Sequence, residues 1–172
     1  SDTSEATISP SFLTFGSSNY STLQTVTVTG VDDFYDDDNV SYTITVDPSS
    51  SITSYNTMTS STVTGYNIDN DTAAITVGAK SGNTSEFGTT ATINVTLATI
   101  PTANVSIVVT DNDSTEVSIT PTTLTITPST WNTTNQVTLT GQNDSDNDGH
   151  NTFRISFHNA TSTDSKYNGM AP

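Results

Sequence analysis

The chain has 172 residues and no cysteine, and 18 acidic residues against three basic ones leave a formal net charge of −15 at pH 7. Such a charge repels phosphate backbones and anionic lipid surfaces, which argues against nucleic-acid partners and favours cations. Ser and Thr make up about a third of the chain, and no apolar run is long enough to cross a bilayer. This composition indicates an all-β protein of the extracellular medium or cell surface, without membrane insertion.

The N-terminal part of the chain, residues 1–72, carries ten acidic side chains and no base. The alternating VTVTG at residues 26–30 predicts a strand, and the acidic stretch VDDFYDDDNV at residues 31–40 follows it directly. A further strand-like run begins at Ser61 and ends in the triplet Asp69-Asn70-Asp71.

The rest of the chain contains seven alternating runs, each with apolar side chains on one face and Thr, Ser or Asn on the other. The runs are residues 75–77, 91–97, 105–109, 117–119, 124–126, 137–139 and 153–157. Proline residues lie between the runs, and no stretch has a convincing 3.6-residue period. About seven strands in 100 residues predict a Greek-key, immunoglobulin-like β-sandwich.

An internal repeat relates the two parts of the chain at a fixed offset, which carries Val26 onto Val137. At this offset VTVTG aligns with VTLTG at residues 137–141, and after one inserted residue YNTM at 55–58 aligns with YNGM at 167–170. Other aligned pairs are Glu5 with Glu116, Tyr20 with Trp131, Asp33 with Asp144, and Asp37 with Asp148.

The repeat predicts two tandem units. Residues 1–72 form the C-terminal part of a first sandwich repeat, and residues 73–172 form a second repeat that lacks its last strand. Two readings follow, an excerpt of a longer array or a subunit whose sandwich is completed by a strand from its neighbour. In both, the partners are neighbouring repeats or identical subunits arranged head to tail.

The acidic stretches are candidate metal sites. The second copy, NDSDNDG at residues 143–149, contains D-x-D-x-D-G, a spacing that lets alternate carboxylates converge on one hard cation while Gly149 permits a sharp turn. It begins like an EF-hand loop, but its twelfth position is Ile155 and its flanks alternate as strands, which excludes an EF-hand. Acidic turns also occur as merely solvated surface. Because the acids recur in both copies with few bases to neutralise them, calcium binding is the favoured interpretation.

Further acids are expected to join these loops, because the connections at one end of a sandwich lie close together in space. Calcium takes six to eight oxygen ligands, which this supply provides. The candidate ligands are Asp32, Asp33, Asp36, Asp37, Asp38, Asp69, Asp71, Glu86, Asp111, Asp113, Asp144, Asp146 and Asp148.

Other features favour a non-enzymatic protein. Trp131, like Tyr20 in the first copy, is predicted to cover the edge of the core rather than to form a sugar-binding platform. His150 and His158 have no histidine counterpart in the first copy and no G-x-S-x-G turn accompanies them, which argues against a catalytic triad. Ten Asn residues lie in N-x-Ser/Thr, which permits glycans where the organism has the machinery.

The quoted segments also resemble a known family. TISPSFLTF, QTVTVTGVDDFYDDDNVSYTITV and the copy VSITPTTLTITPSTWNTTNQVTLTGQNDSDNDGHNTFRISF are similar to bacterial tandem repeats related to Calx-beta domains. The resemblance implies a seven-stranded, immunoglobulin-like sandwich of long extracellular proteins, with calcium at one pole. The ligand positions it implies are Glu86, Asp111 or Asp113, Asp144, Asp146, Asp148 and, for the preceding unit, Asp69 and Asp71.

Three functions are therefore considered. The leading hypothesis is a structural module of an extracellular tandem-repeat protein, such as an adhesin stalk or fibre, made rigid by calcium at the acidic loops and at the joints between repeats. The second is a filament subunit that polymerises by strand complementation. The third is an adhesin module that binds carbohydrate or protein through a surface around Trp131.

Overall fold

The computed structural model describes residues 2–145 and 149–172, and this part of the chain is all-β, as the sequence predicts. Its strand pairings are antiparallel, and its helix, α1 (Thr53–Asn56), is a single turn, too short to give a sequence period. The strands are β1 (Ala6–Ser9), β2 (Thr27–Gly30), β3 (Val40–Val46), β4 (Ser61–Asn67), β5 (Ile75–Val77), β6 (Thr90–Leu97), β7 (Val105–Asp111), β8 (Val117–Thr120), β9 (Thr123–Ile126), β10 (Asn135–Gly141) and β11 (Ile155–Phe157). Across these residues, no helix has the length and apolar character needed to cross a bilayer.

The chain divides into two compact units. Unit 1 comprises Ser1–Asp33 and Asp37–Asn70, and unit 2 comprises Phe34–Asp36 and Asp71–Pro172. The change of unit after Asn70 lies near the predicted boundary after residue 72. The sequence pattern did not assign residues 34–36 to the second unit.

Unit 2 contains two sheets whose inward faces share one apolar core. One sheet has the strand order β5-β6-β10-β8, the other has β11-β7-β9, and each connection from β6 onwards passes from one sheet to the other. Each fully buried Val, Ile or Leu stabilises the fold by about 1.5–3 kcal/mol, so this core is the main source of stability in unit 2. Its buried strand residues include Ile75, Ala91, Ile93, Val95, Leu97, Val105, Ile107, Val109, Val117, Leu124, Ile126, Val137 and Leu139.

One buried polar contact ties the end of the chain to this core. The hydroxyl of Tyr167, a fully buried residue, donates to the carbonyl oxygen of Thr99 at 2.8 Å and accepts the N–H of Thr99 at 3.1 Å. The Thr99 hydroxyl lies 2.7 Å from the same oxygen. Since a buried tyrosine hydroxyl costs free energy unless it is hydrogen-bonded, these contacts fix the C-terminal segment against the turn that follows β6.

Unit 1 has strands but no closed core among its described residues. Strand β1 pairs with β2 along four residues, and β3 pairs with β4 along seven. Glu5 and Ala6 are the buried residues in this part of unit 1. Its exposed large apolar side chains include Ile8, Phe12, Phe15, Tyr20, Leu23, Val28, Val46, Ile52, Tyr55, Met58, Val63, Tyr66 and Ile68.

The ladder between β1 and β2 recurs at the repeat offset. The first ladder pairs Ala6 with Gly30, and the ladder between β8 and β10 pairs Val117 with Gly141. In both places the residue after that glycine donates its N–H to the carbonyl of the glutamate that precedes the first strand, at 2.9 Å. The two sequence copies therefore fold in the same local register.

A second local pattern recurs after the one inserted residue, as the alignment of YNTM with YNGM predicts. The side-chain oxygen of Asn56 accepts the N–H of Ser50 at 3.2 Å, and that of Asn168 accepts the N–H of Ser162 at 3.3 Å. The turns that carry YNTM and YNGM thus share a hydrogen-bond pattern as well as their sequence.

Strand β11 is shorter than the predicted strand at 153–157, for a local reason. Beside β11, the backbone N–H of Arg154 donates to the Asn112 side chain, and the Arg154 carbonyl accepts the Asn112 N–H at 3.2 Å. The asparagine side chain takes the place of a strand residue there, so the regular ladder with β7 begins only at Ile155.

Candidate metal centre

Three carboxylates come together at one end of unit 1. Glu5 immediately precedes β1, whereas Asp33 and Asp37 lie in the acidic loop between β2 and β3. One carboxylate oxygen from each residue lies within 4.8 Å of the other two. The β1–β2 ladder produces this arrangement, because the bond from the Val31 N–H to the Glu5 carbonyl fixes the start of the loop beside Glu5.

Glu5 is held in place by an asparagine at the end of β4. Only 7% of Glu5 is exposed, and burial of a carboxylate costs free energy unless it is hydrogen-bonded or paired with a cation. The Asn67 side-chain NH₂ donates to Glu5 Oε2 at 3.3 Å and to the Val31 carbonyl at 2.7 Å. Asn67 therefore orients Glu5 towards the loop and connects β4 to it.

A glycine at the end of VTVTG makes room for this contact. A Cβ atom on Gly30 would lie 2.5 Å from the Oδ1 of Asn67, too close for an ordinary contact. Gly141 ends the corresponding segment VTLTG, and a Cβ there would overlap the carbonyl oxygen of Ser85. Both copies therefore have a steric reason for a glycine at this position, although the neighbouring groups differ.

A fourth acid closes the loop. The Asp69 Oδ2 accepts the N–H of Asp37 at 3.1 Å and the N–H of Asp38 at 3.0 Å, while the Asp69 N–H donates to Asn39 Oδ1 at 3.0 Å. Asp38 adopts a left-handed φ of 66°, and Gly149, at the same repeat position, has a φ of 80°. The backbone is therefore left-handed at this position of the repeat in both copies.

The electrostatics of this cluster favour a cation. Asp37 is exposed, but partial desolvation raises its pKa, and the negative charges of Glu5, Asp33 and Asp69 raise it further. Calcium binds oxygen at about 2.3–2.6 Å, so its ligand oxygens lie up to about 5 Å apart, a span that the 4.8 Å cluster fits. An all-oxygen, carboxylate-rich set also suits a hard cation better than a soft one. A cation bound there would supply positive charge that offsets the repulsion.

Asp36, another predicted ligand, has a different environment within unit 2. Its Oδ1 accepts a hydrogen bond from the Lys166 ammonium at 2.6 Å, and its Oδ2 accepts the Ala73 N–H at 2.8 Å. The Lys166 bond and then the Ala73 bond hold the pKa of Asp36 below its ordinary value. This carboxylate therefore forms an ion pair, and it lies outside the cluster of Glu5, Asp33 and Asp37.

The remaining predicted ligands that the structure describes are not part of the cluster of Glu5, Asp33 and Asp37. Asp113 accepts the N–H and the hydroxyl of Thr115, at 3.3 and 2.6 Å, in a turn before β8. Asp111 is the last residue of β7, Asp71 and Asp144 are half-buried, and Asp32, Asp38 and Glu86 are exposed. Asp146 and Asp148 lie outside the described residues.

Glu5 is the member of the cluster that sequence reasoning missed. It stands alone before a strand and not in an acidic run, so its charge gave no local signal. The repeat offered a signal, since Glu5 aligns with Glu116 just as the loop acids Asp33 and Asp37 align with acids of the second copy. In unit 2, Asn151 donates to Glu116 Oε1 at 3.0 Å, so this second glutamate also has an amide partner.

Trp131 was considered for carbohydrate binding and His158 for a catalytic triad, and the structure shows what each contacts. Trp131 packs against the core of unit 2 and against the Phe34 ring, with centroids 5.7 Å apart, as expected for a residue that covers the edge of the core. His158 Nε2 lies 3.0 Å from the Thr110 hydroxyl.

Comparison with protein-family models, with curated protein sequences and with solved structures finds no match to this chain.

Proposed function

We propose that the protein is a non-enzymatic structural module of an extracellular tandem-repeat protein, such as a surface fibre or adhesin stalk, and that calcium makes it rigid. The observation that carries this proposal is the carboxylate cluster of Glu5, Asp33 and Asp37. Each of these acids aligns with an acid in the second copy, so a cation site at this loop would belong to the repeat and not to one copy.

Calcium would act here as a cross-link between the acidic loop and β1. Glu5, Asp33 and Asp37 would bind the ion directly, and Asp69 already holds the loop backbone beside them. Extracellular calcium modules work with dissociation constants of about 10⁻⁴ to 10⁻³ M. At a calcium concentration ten times the dissociation constant, binding stabilises a fold by about 1.4 kcal/mol.

The strand order supports an immunoglobulin-like Greek-key sandwich. If β5, β6, β7 and β8 are taken as strands A to D, with β10 and β11 as E and F, the four-stranded sheet has the order A-B-E-D, and C neighbours F. Strand β9 is an addition to this order: it lies between D and E in the chain and pairs with the other edge of C. β4 would be the G strand of the first repeat, because it pairs with β3, the counterpart of β11.

Thermal unfolding with and without calcium tests the metal part of the proposal. EDTA should lower the melting temperature measured by circular dichroism, and millimolar calcium should restore it, because binding stabilises only the folded state. Magnesium at the same concentration should restore less, since it accepts an irregular carboxylate cluster poorly. A melting curve that neither EDTA nor calcium shifts would contradict calcium binding.

A filament subunit is the second candidate. The observation that favours it is the seven-residue ladder between β3 and β4, because β11, the counterpart of β3, is paired with β7 alone among the described strands. A β4 strand from another copy would extend that sheet by strand addition. Appending a copy of residues 59–71 after Pro172 should then give a soluble monomer. Assembly that continues unchanged in that variant would count against the filament.

A further inference from the structure

The apolar face of unit 1 includes exposed side chains whose counterparts in unit 2 are fully buried. Phe15 is 56% exposed, while its counterpart Ile126 is 0% exposed. Tyr55 is 59% exposed, while its counterpart Tyr167 is 0% exposed. Exposed apolar side chains whose counterparts form a core indicate an interaction site. The chain itself shows what covers the equivalent surface.

In unit 2 the covering elements are β5, β6 and β7. Strand β10 pairs with β8 on one edge and with β6 on the other, and β11 pairs with β7. In unit 1 the counterpart of β10 is β2, which pairs with β1 among the described strands, and the counterpart of β11 is β3, which pairs with β4. The edges of β2 and β3 that correspond to the β6 and β7 contacts therefore carry backbone donors and acceptors ready for strand pairing.

The contact between Tyr167 and Thr99 gives a specific polar contact for the same surface. The Tyr167 hydroxyl is satisfied by three groups of Thr99, which follows β6. Tyr55 occupies the equivalent turn of unit 1, beside the same recurrent asparagine hydrogen bond. A β6-like strand placed on β2 would bring its own threonine to the Tyr55 hydroxyl.

We infer that this face of unit 1 is a docking surface for three strands of the β5–β7 kind, supplied by another repeat of this protein. The inference rests on the tandem-repeat part of the proposed function and not on calcium. The unit 2 registers place Val28 opposite Ala91 of the incoming segment, and Val46 opposite Val109. Docking would bury the apolar face and complete a second sandwich.

An extended chain tests this inference. A second copy of residues 73–112 is fused directly before Asp2, because Asn112 precedes Asp113, the counterpart of Asp2. Hydrogen exchange is then measured by NMR in EDTA and in calcium. The β2 and β3 amides should exchange at least about tenfold more slowly than in the original chain, because they join ladders that must open before exchange. Binding of a hydrophobic dye should fall.

The matched control carries Val95→Asp and Ile107→Asp in the added copy only. It should exchange like the original chain, since two buried charges prevent the segment from packing. Equal exchange in the extended chain, the control and the original would overturn the inference. A dimer of the original chain, with β2 and β3 already protected, would overturn it in favour of a face that pairs with a second whole copy.

A further variant reports on the docked geometry. Tyr55→Phe should lower the melting temperature of the extended chain and leave that of the original chain unchanged, because only the docked threonine satisfies the hydroxyl. The same small effect in both chains would contradict the register. Calcium binding by the extended chain is measured in a separate titration. If the β2 and β3 amides are protected but no calcium binds, the metal proposal is wrong and the docking surface is still supported.

Discussion

Two neighbouring aspartates show how strongly position decides the behaviour of a carboxyl group. The pKa of Asp36 is lowered because Lys166 and the Ala73 N–H bond to its charged form. The pKa of Asp37 is raised because it is partly desolvated and faces other acids. In the sequence both belong to one acidic run. The sequence shows that this run is acidic. It does not show the separate environments of its members, because these depend on contacts with residues far along the chain.

The raised pKa of Asp37 predicts a pH dependence for unit 1 in EDTA. A carboxyl whose folded pKa lies above its unfolded value binds more protons in the folded state, so stability falls as the pH rises from about 3.8 through the folded pKa. Acidification from pH 7 into that window should therefore raise the protection factors of the β3 amides, which are corrected for the pH dependence of the intrinsic exchange rate. Asp37→Asn should flatten this part of the profile, and a wild-type profile with the opposite slope would contradict the account.

The ion pair of Asp36 predicts the opposite dependence in unit 2. Asp36→Asn should lower the free energy of unfolding by about 1 kcal/mol at pH 7, because it removes a charge-assisted bond at a partly buried pair. The wild-type contribution is present above about pH 3.8 and is lost as the pH falls through the lowered pKa. Denaturant unfolding followed by Trp131 fluorescence measures this effect. The exposed Asp32→Asn is the matched control and should change little.

Among the elements, alternation and repetition predicted most of the strands. VTVTG and VTLTG became β2 and the end of β10, and the run after Ser61 became β4 followed by its acidic triplet. The short β11 could not be predicted, because its start depends on the bond that the Arg154 N–H donates to the Asn112 side chain. Glu5 was missed for a similar reason, since the β1–β2 ladder, and not its sequence neighbours, brings it to the loop.

The contact between Tyr167 and Thr99 makes the stability of unit 2 sensitive to one hydroxyl. Tyr167→Phe should lower the free energy of unfolding by about 1–3 kcal/mol, since the Thr99 N–H and carbonyl would be left buried without their partner. Tyr55→Phe is the matched control in the same chain, because Tyr55 is exposed. Equal losses from the two substitutions in denaturant unfolding would show that the buried hydrogen bonds contribute nothing specific.

For the whole molecule, charge and repetition both support the proposed function. The formal charge is −15, and the three bases Lys80, Arg154 and Lys166 all belong to unit 2. The carboxylates of unit 1 therefore gain no neutralising lysine or arginine from their own unit, and a divalent cation would serve that need. In the proposed array the same ion would stiffen each unit, because the acids of the loop recur with the sequence repeat.

Calcium titration by isothermal calorimetry tests this central claim most directly. The full chain should bind calcium at a submillimolar to millimolar dissociation constant. The variant Glu5→Gln, Asp33→Asn, Asp37→Asn should lose one equivalent. A control that removes the same charge elsewhere, Asp32→Asn, Asp47→Asn, Glu86→Gln, should retain the wild-type stoichiometry. Absence of calcium binding by the wild-type chain, or unchanged binding by the cluster variant, would contradict the account.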